Sequence, residues 1–291
     1  MSDRFLRGLF YLAQRHPRLL SRLAPGLAWG TWRLARGVRA GVRDNLAHLL
    51  PTQTSDKERD RIGRRVLLQF IRFVADLGHA QHASFEALLA RAVTIEGKSH
   101  YRQARSLGKG AVIATAHLGS FEVGLAVTAD MERATHVVFA TDPFPRFDQL
   151  RTSLREKLGV QEARADQGWA MWGDLRDALA RDEVVVMQAD RVMPGQKGMS
   201  VPLLGAPAEL PTGPVRLAQL TGSPILPVFA VREPDGHTIR IMIEKPIMVP
   251  DTGDPRQDQS AAIVALSEAI GRVVGRYPDQ WLMLHRVWVE G

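Results

Sequence analysis

His117 and Glu122 are the side chains whose types and offset suit proton chemistry. They place a potential base and a carboxylate five residues apart in Ala114-Thr115-Ala116-His117-Leu118-Gly119-Ser120-Phe121-Glu122. An imidazole can take the proton of a hydroxyl as that oxygen attacks an acyl carbon. A carboxylate can hold the ring tautomer and offset the imidazolium charge that forms. The apolar run 111–116, behind Gly108-Lys109-Gly110, predicts a buried strand, and Phe121 onward predicts a helix entered through Gly119-Ser120. His117 then lies on a strand-to-helix loop, where open α/β sheets gather reactive groups. The backbone amides of Gly119 and Ser120 at that helix start are candidate oxyanion donors. Taken alone, the spacing fits a satisfied loop histidine beside a solvated helix glutamate better than a catalytic pair. The segment lacks the second glycine of a serine-hydrolase elbow, so no nucleophilic role falls to Ser120.

The elements that must position this loop read as a helical N-terminal part followed by an alternating α/β part. Residues 4–22 and 56–90 carry helical apolar spacing, the second with Ser55 as cap. Apolar runs at 111–116, 136–140, 184–189, 225–231 and 238–243 predict strands. Segments 121–131, 148–158, 168–181, 212–221 and 258–276 predict helices. Strands separated by helices imply a mixed, largely parallel central sheet flanked by helices. The expected division is a basic segment, 1–55, ahead of one catalytic domain, 56–291.

The charge is placed unevenly. Of the net +7, residues 1–50 account for all, with nine Arg against Asp3 and Asp44. The same segment carries Phe5, Leu9, Phe10, Tyr11, Leu19, Leu23, Trp29 and Trp32, the makeup of an interfacial anchor for an anionic membrane surface. Its longest uncharged stretch, 23–32, has ten residues and includes Pro25, short of the roughly 20 that span a bilayer. The expectation is therefore a chain that lies on the membrane, with packing of these helices on the catalytic domain as the alternative. No nucleic-acid motif accompanies the basic residues. With no cysteine, thiol nucleophiles and zinc–thiolate sites are excluded, and no G-x-G-x-x-G or P-loop points to a nucleotide cofactor. Neither a cofactor nor a metal is expected.

Further blocks extend the pattern around His117. Arg43-Asp44-Asn45-Leu46 through Leu50-Pro51 and Glu58-Arg59, then Val201-Pro202-Leu203-Leu204-Gly205, then Pro224-Ile225-Leu226-Pro227-Val228, and finally Pro278-Asp279-Gln280-Trp281 with His285-Arg286-Val287-Trp288 follow in order. With the His, four residues, Glu marker, the chain resembles the lysophospholipid acyltransferase superfamily, and within it the branch of lipid A late acyltransferases. The resemblance covers most of the chain. It implies transfer of a fatty acyl group from a thioester, on acyl carrier protein or CoA, to a hydroxyl of a membrane glycolipid or related amphiphile. His117 would be general base and Glu122 its support. It also implies the cytoplasmic face of a bacterial inner membrane, where relatives often carry a spanning helix at this end. The short uncharged stretch 23–32 departs from that, so the enzyme is expected to be peripheral, and a monomer.

The resemblance supplies further candidates for substrate binding. Asp190, with Arg191, follows the run 184–187 and either holds the acceptor or braces the histidine loop. Thr212 stands where glycerol-phosphate acyltransferases carry a Glu, and Gly213 would let the substrate approach the backbone. Arg146 is a loose match for a headgroup-binding position. Two rival readings use the same residues: a membrane-associated thioesterase or hydrolase acting with water, and a non-catalytic lipid- or carrier-binding protein of the same fold.

Overall fold

The computed structural model describes residues 2–165, 168–193 and 195–288. Three helices open the chain, α1 (Asp3–Arg15), α2 (Pro17–Leu34) and α3 (Arg36–Leu49), followed by the long α4 (Asp56–Ala80) and the short α5 (Phe85–Leu89). Then come β1 (Ala92–Glu96), α6 (Lys98–Arg105), β2 (Ala111–Thr115), α7 (Phe121–Met131), β3 (Thr135–Phe139), α8 (Pro145–Lys157), β4 (Gln161–Arg164), α9 (Trp169–Ala180) and β5 (Val184–Gln188). A hairpin, β6 (Gly198–Leu203) and β7 (Ala206–Pro211), precedes α10 (Gly213–Thr221), β8 (Ile225–Arg232), β9 (Ile239–Ile243) and α11 (Pro255–Arg276).

Seven strands form one sheet in the order β1-β9-β8-β2-β5-β3-β4, and β6 and β7 pair antiparallel apart from it. All sheet pairings are parallel except β8 with β9. The expected α/β class with a largely parallel sheet between helices is what the chain adopts.

Strand alternation divides the interior into two layers. Ala111 and Ile113 face a cluster shared with α1, α2, α3, α4, α7 and α8, whereas Val112 and Ala114 face one shared with α9, α10, α11 and the C-terminal Trp281 and Trp288. Both faces of β2 are thus covered, which is why 111–116 reads as an unbroken apolar run.

The N-terminal helices belong to the first of these layers. Leu9, Phe10, Ala13, Leu20, Ala24, Ala28 and Trp32 are buried against α4. Gly63 of α4 makes the crossing with α2 close, because a Cβ there would stand 2.2 Å from the Trp32 ring. No helix among the described residues is long and apolar enough to cross a membrane. The outer faces still carry large apolar side chains, including Tyr11, Leu19, Leu23, Trp29 and Leu34.

Two expected helices are divided. The 4–22 helix breaks at His16 (φ −142°, ψ 58°), because Pro17 disfavours helical geometry in the residue before it and starts α2 as its first residue. The 56–90 helix stops at Ala80, and Ser84 caps α5 by accepting from the Ala87 amide.

Candidate functional site

The parallel register of β2 and β5 builds the site. Thr115 lies opposite Gln188, so His117 and Asp190, each two residues further on, leave adjacent strands together at their carboxyl ends. His117 Nδ1 and Asp190 Oδ1 are 2.8 Å apart, and the His117 amide donates to Asp190 Oδ2 at 2.8 Å. The Trp281 indole Nε1 donates to the same Oδ2 at 2.9 Å. Asp190 is 1% exposed, while the His117 side chain retains 17%. Burial pushes the Asp190 carboxyl up. The His117 imidazole, the indole N–H and the His117 amide outweigh that and hold it below its ordinary value. An ionised Asp190 accepts a proton-bearing Nδ1 and leaves Nε2 as the basic ring nitrogen. Of the two roles considered for Asp190, the contacts match bracing of the histidine.

Glu122 is placed differently from the expectation. Its Oε1 accepts from Arg151 Nε at 2.8 Å and from Arg155 Nη2 at 2.7 Å, and its Oε2 accepts from Arg155 Nε at 3.2 Å. Burial raises this carboxyl, but Arg155 and Arg151 outweigh it and lower its pKa to about 2. Arg155 also reaches Glu162. The group that holds the His117 tautomer is therefore Asp190, and Glu122 ties α7 to α8. The sequence offset hid this, since Glu122 sits in the first turn of a helix that points its carboxylate at α8.

The oxyanion assignment to Gly119 and Ser120 is corrected as well. The Gly119 amide donates to Gln280 O at 2.9 Å and the Ser120 amide to Ala230 O at 3.1 Å, so both are already satisfied by backbone carbonyls. The Ser120 hydroxyl donates to Asp76 Oδ2 at 2.6 Å, and Asp76 also binds Arg232 and Arg91. Gly119 has φ 58°, and a Cβ on it would stand 2.3 Å from Ala230 O. Its role is to let the loop pass β8. On the other side the tail closes the loop, with Leu282 N donating to His117 O at 2.8 Å and Leu118 bridging Trp281. The Gln280 side chain is itself clamped to the backbone of Arg232.

The remaining candidates separate. Arg191 adjoins Asp190, its Nε is buried without a hydrogen-bond partner among the described residues, and its charge bears on Asp142 and His285. Burial and Arg191 push the His285 imidazole down, with His117 adding to the effect. The Thr212 hydroxyl donates to Lys197 O, and the residue immediately precedes α10. At Gly213 a Cβ would lie 3.0 Å from Met187 Cε and 3.3 Å from Trp172, so this glycine makes room for side chains of the protein itself. Arg146 contacts α1, bonding Gln14 Oε1 at 2.6 Å and lying over the Tyr11 ring. Trp281 was not singled out from the sequence as a partner of the site. Its only signal is its place in the C-terminal block Pro278-Asp279-Gln280-Trp281.

Comparison with known proteins adds to this geometry. A family described as "Bacterial lipid A biosynthesis acyltransferase" matches residues 5–290. A phosphatidylinositol mannoside acyltransferase of Mycolicibacterium smegmatis is 24% identical over 250 residues, 85% of this chain and 79% of that protein. A phosphatidylinositol mannoside acyltransferase of Mycobacterium tuberculosis is 26% identical over 67% of this chain and 60% of its own length. The lipid A biosynthesis lauroyltransferase of Escherichia coli is 24% identical over 68% of this chain, and the match spans 62% of that enzyme.

Proposed function

The chain belongs to the bacterial lipid A biosynthesis acyltransferase family, and from that premise we propose that it transfers a fatty acyl group from a thioester to a hydroxyl of a membrane glycolipid, with His117 as base and Asp190 as its positioning carboxylate. The observation that carries this reading is the 2.8 Å contact between His117 Nδ1 and a buried Asp190 at the ends of adjacent parallel strands. In the reaction Nε2 takes the hydroxyl proton as the acceptor oxygen bonds the thioester carbon. The C–S bond then breaks, and the proton passes from the imidazolium to the leaving thiolate. Asp190 offsets the imidazolium charge in between. Neither the Gly119 nor the Ser120 amide is free to bind the oxyanion, and the guanidinium of Arg191, whose buried Nε has no hydrogen-bond partner among the described residues, is the group we assign to an anionic part of the substrates.

A glycolipid acceptor accords with the relatives, whose names specify a phosphatidylinositol mannoside and lipid A. The donor in this reading is an acyl carrier protein or CoA thioester. The exposed apolar and arginine side chains of α1 and α2 support attachment at the inner-membrane surface, from its cytoplasmic side, without a spanning helix. The test is transfer of a radiolabelled acyl group from acyl carrier protein into a total lipid extract, comparing the parent with His117→Ala and Asp190→Asn. A labelled lipid made by the parent and lost in both variants is the expected result. Label appearing only as free fatty acid would replace the reading with a hydrolase, and lipid binding without a His117-dependent product would replace it with a binding protein.

A further inference from the structure

A cavity of about 240 Å³ opens between α1 and the start of α8, lined by Arg7, Phe10, Phe144, Pro145 and Arg146. Its floor is aromatic and its rim is cationic. Phe10 is buried and packs against Phe144 with ring centroids 5.6 Å apart, while the Arg7 guanidinium lies 5.9 Å over Phe144 and that of Arg146 5.2 Å over Tyr11. Neither guanidinium has an ion-pair partner among the described residues, although other arginines of the chain, including Arg43, Arg91, Arg151 and Arg155, are matched to carboxylates. Two unneutralised cations over an apolar hollow call for one kind of occupant, in which an anionic group and a hydrocarbon segment are joined.

We propose that this groove is a discrete binding site for one anionic phospholipid, with Arg7 and Arg146 on the phosphate and Phe10, Phe144 and Pro145 against the adjoining apolar segment. The volume falls below the roughly 300–1,000 Å³ of pockets that enclose a drug-sized ligand. The groove therefore takes the head and upper chain while the rest of the lipid stays in the bilayer. Its position links attachment to the reactive loop. Phe10 stacks on Phe147 at 4.7 Å, Phe147 meets Phe73 at 6.3 Å, Phe73 stacks on Phe121 at 4.7 Å, and Phe121 meets the His117 ring edge-on at 5.4 Å. A lipid held there fixes the α1–α8 corner against the membrane, on the wall that carries the base. The proposal rests on the membrane-surface reading above and narrows it from a general charge attraction to a stoichiometric site.

The experiment titrates the full-length protein calorimetrically with dihexanoyl phosphatidylglycerol below its micelle concentration, beside dihexanoyl phosphatidylcholine and inorganic phosphate. One phosphatidylglycerol should bind per chain. Arg7→Gln/Arg146→Gln should weaken binding about tenfold or more, as loss of charge-assisted contacts does. Phe144→Ala should weaken it too, and Arg33→Gln, an exposed arginine over Trp29 outside the groove, should not. Equal binding of phosphatidylcholine, equal binding of inorganic phosphate, or unchanged binding by the double variant would each overturn the site. Failure of the catalytic reading is read separately, because His117→Ala abolishes transfer there while leaving phosphatidylglycerol binding intact.

Discussion

Replacing Asp190 by Asn tests the proposed chemistry most sharply, because the surrounding donors dictate how the amide must sit. The Oδ2 position receives two N–H groups, from His117 at 2.8 Å and Trp281 at 2.9 Å, while the Oδ1 position faces His117 Nδ1 at 2.8 Å. The new side chain has one acceptor atom and one NH2. Placing the NH2 toward the two donors would strand both in a buried site, at about 1–3 kcal/mol each. The carbonyl oxygen therefore takes the Oδ2 place and the NH2 donates to Nδ1. That forces the proton onto Nε2 and removes the base from the face that meets the substrate. A triad aspartate replaced by asparagine loses rate by about 10⁴-fold through this wrong tautomer, so a fall of about 10³–10⁴-fold in kcat is expected, about 4–5.5 kcal/mol of barrier. Single-turnover transfer at saturating donor, with the fold checked by circular dichroism, measures it. A folded Asp190→Asn enzyme within tenfold of the parent would refute the reasoning, as would an equal or larger loss of chemistry in a folded Glu122→Gln.

Three further outcomes follow from the same contacts. The Glu122 carboxyl titrates near 2 in the fold against an ordinary value near 4.5. Its folded value is depressed, so its stabilisation is complete above about pH 4.5 and disappears as pH falls toward 2, about 3 kcal/mol in all. Glu122→Gln should lower the midpoint of denaturant unfolding at neutral pH by an amount corresponding to about 3–5 kcal/mol and flatten the acid limb of the stability curve. Gly119→Ala places a Cβ 2.3 Å from Ala230 O at φ 58°, and should cost more than about 1 kcal/mol in thermal unfolding together with most of the activity. Trp281→Phe keeps the ring but deletes the N–H to Asp190. It should lower kcat about tenfold with KM little changed, measured by steady-state transfer.

Much of the sheet was legible because its central strands are buried on both faces. Runs such as Val184-Val185-Val186-Met187 leave no polar side to confuse the reading, and the structure places β5 there. The edge strands were not legible. β4 is Gln-Glu-Ala-Arg, polar and partly exposed, and becomes a strand only because β3 offers its open edge. In the β6–β7 hairpin, Pro202 and Pro207 sit directly opposite one another, residue types that argue locally against a strand. At the site, the sequence showed that His117 and Asp190 each follow a strand at the same offset, but strand adjacency is a tertiary fact. Nothing local says that β5, rather than β3, lies beside β2, so the contiguous Glu122 was the nearer choice.

The difference between the two carboxylates is one of charge balance rather than proximity in sequence. Glu122 is surrounded by Arg151 and Arg155, with Glu162 beside Arg155, so this group of four, of which Glu122 and Arg155 are buried, carries no net charge and its field at the imidazole is largely cancelled. Among the described residues, Asp190 accepts only neutral N–H groups besides the imidazole itself, so in the proposed reaction its negative charge is left for the cation that forms on His117. A carboxylate with a matched cation fixes structure, because breaking the pair strands a buried charge. A carboxylate held by neutral donors is both ionised and unspent, which is what stabilising a transient imidazolium requires. The fold separates these tasks by giving the first to a helix–helix contact, α7 with α8, and the second to adjacent strand ends closed by the C-terminal tail. A variant that moved an arginine to within ion-pair distance of Asp190 would therefore slow transfer while leaving the hydrogen bonds around the site in place.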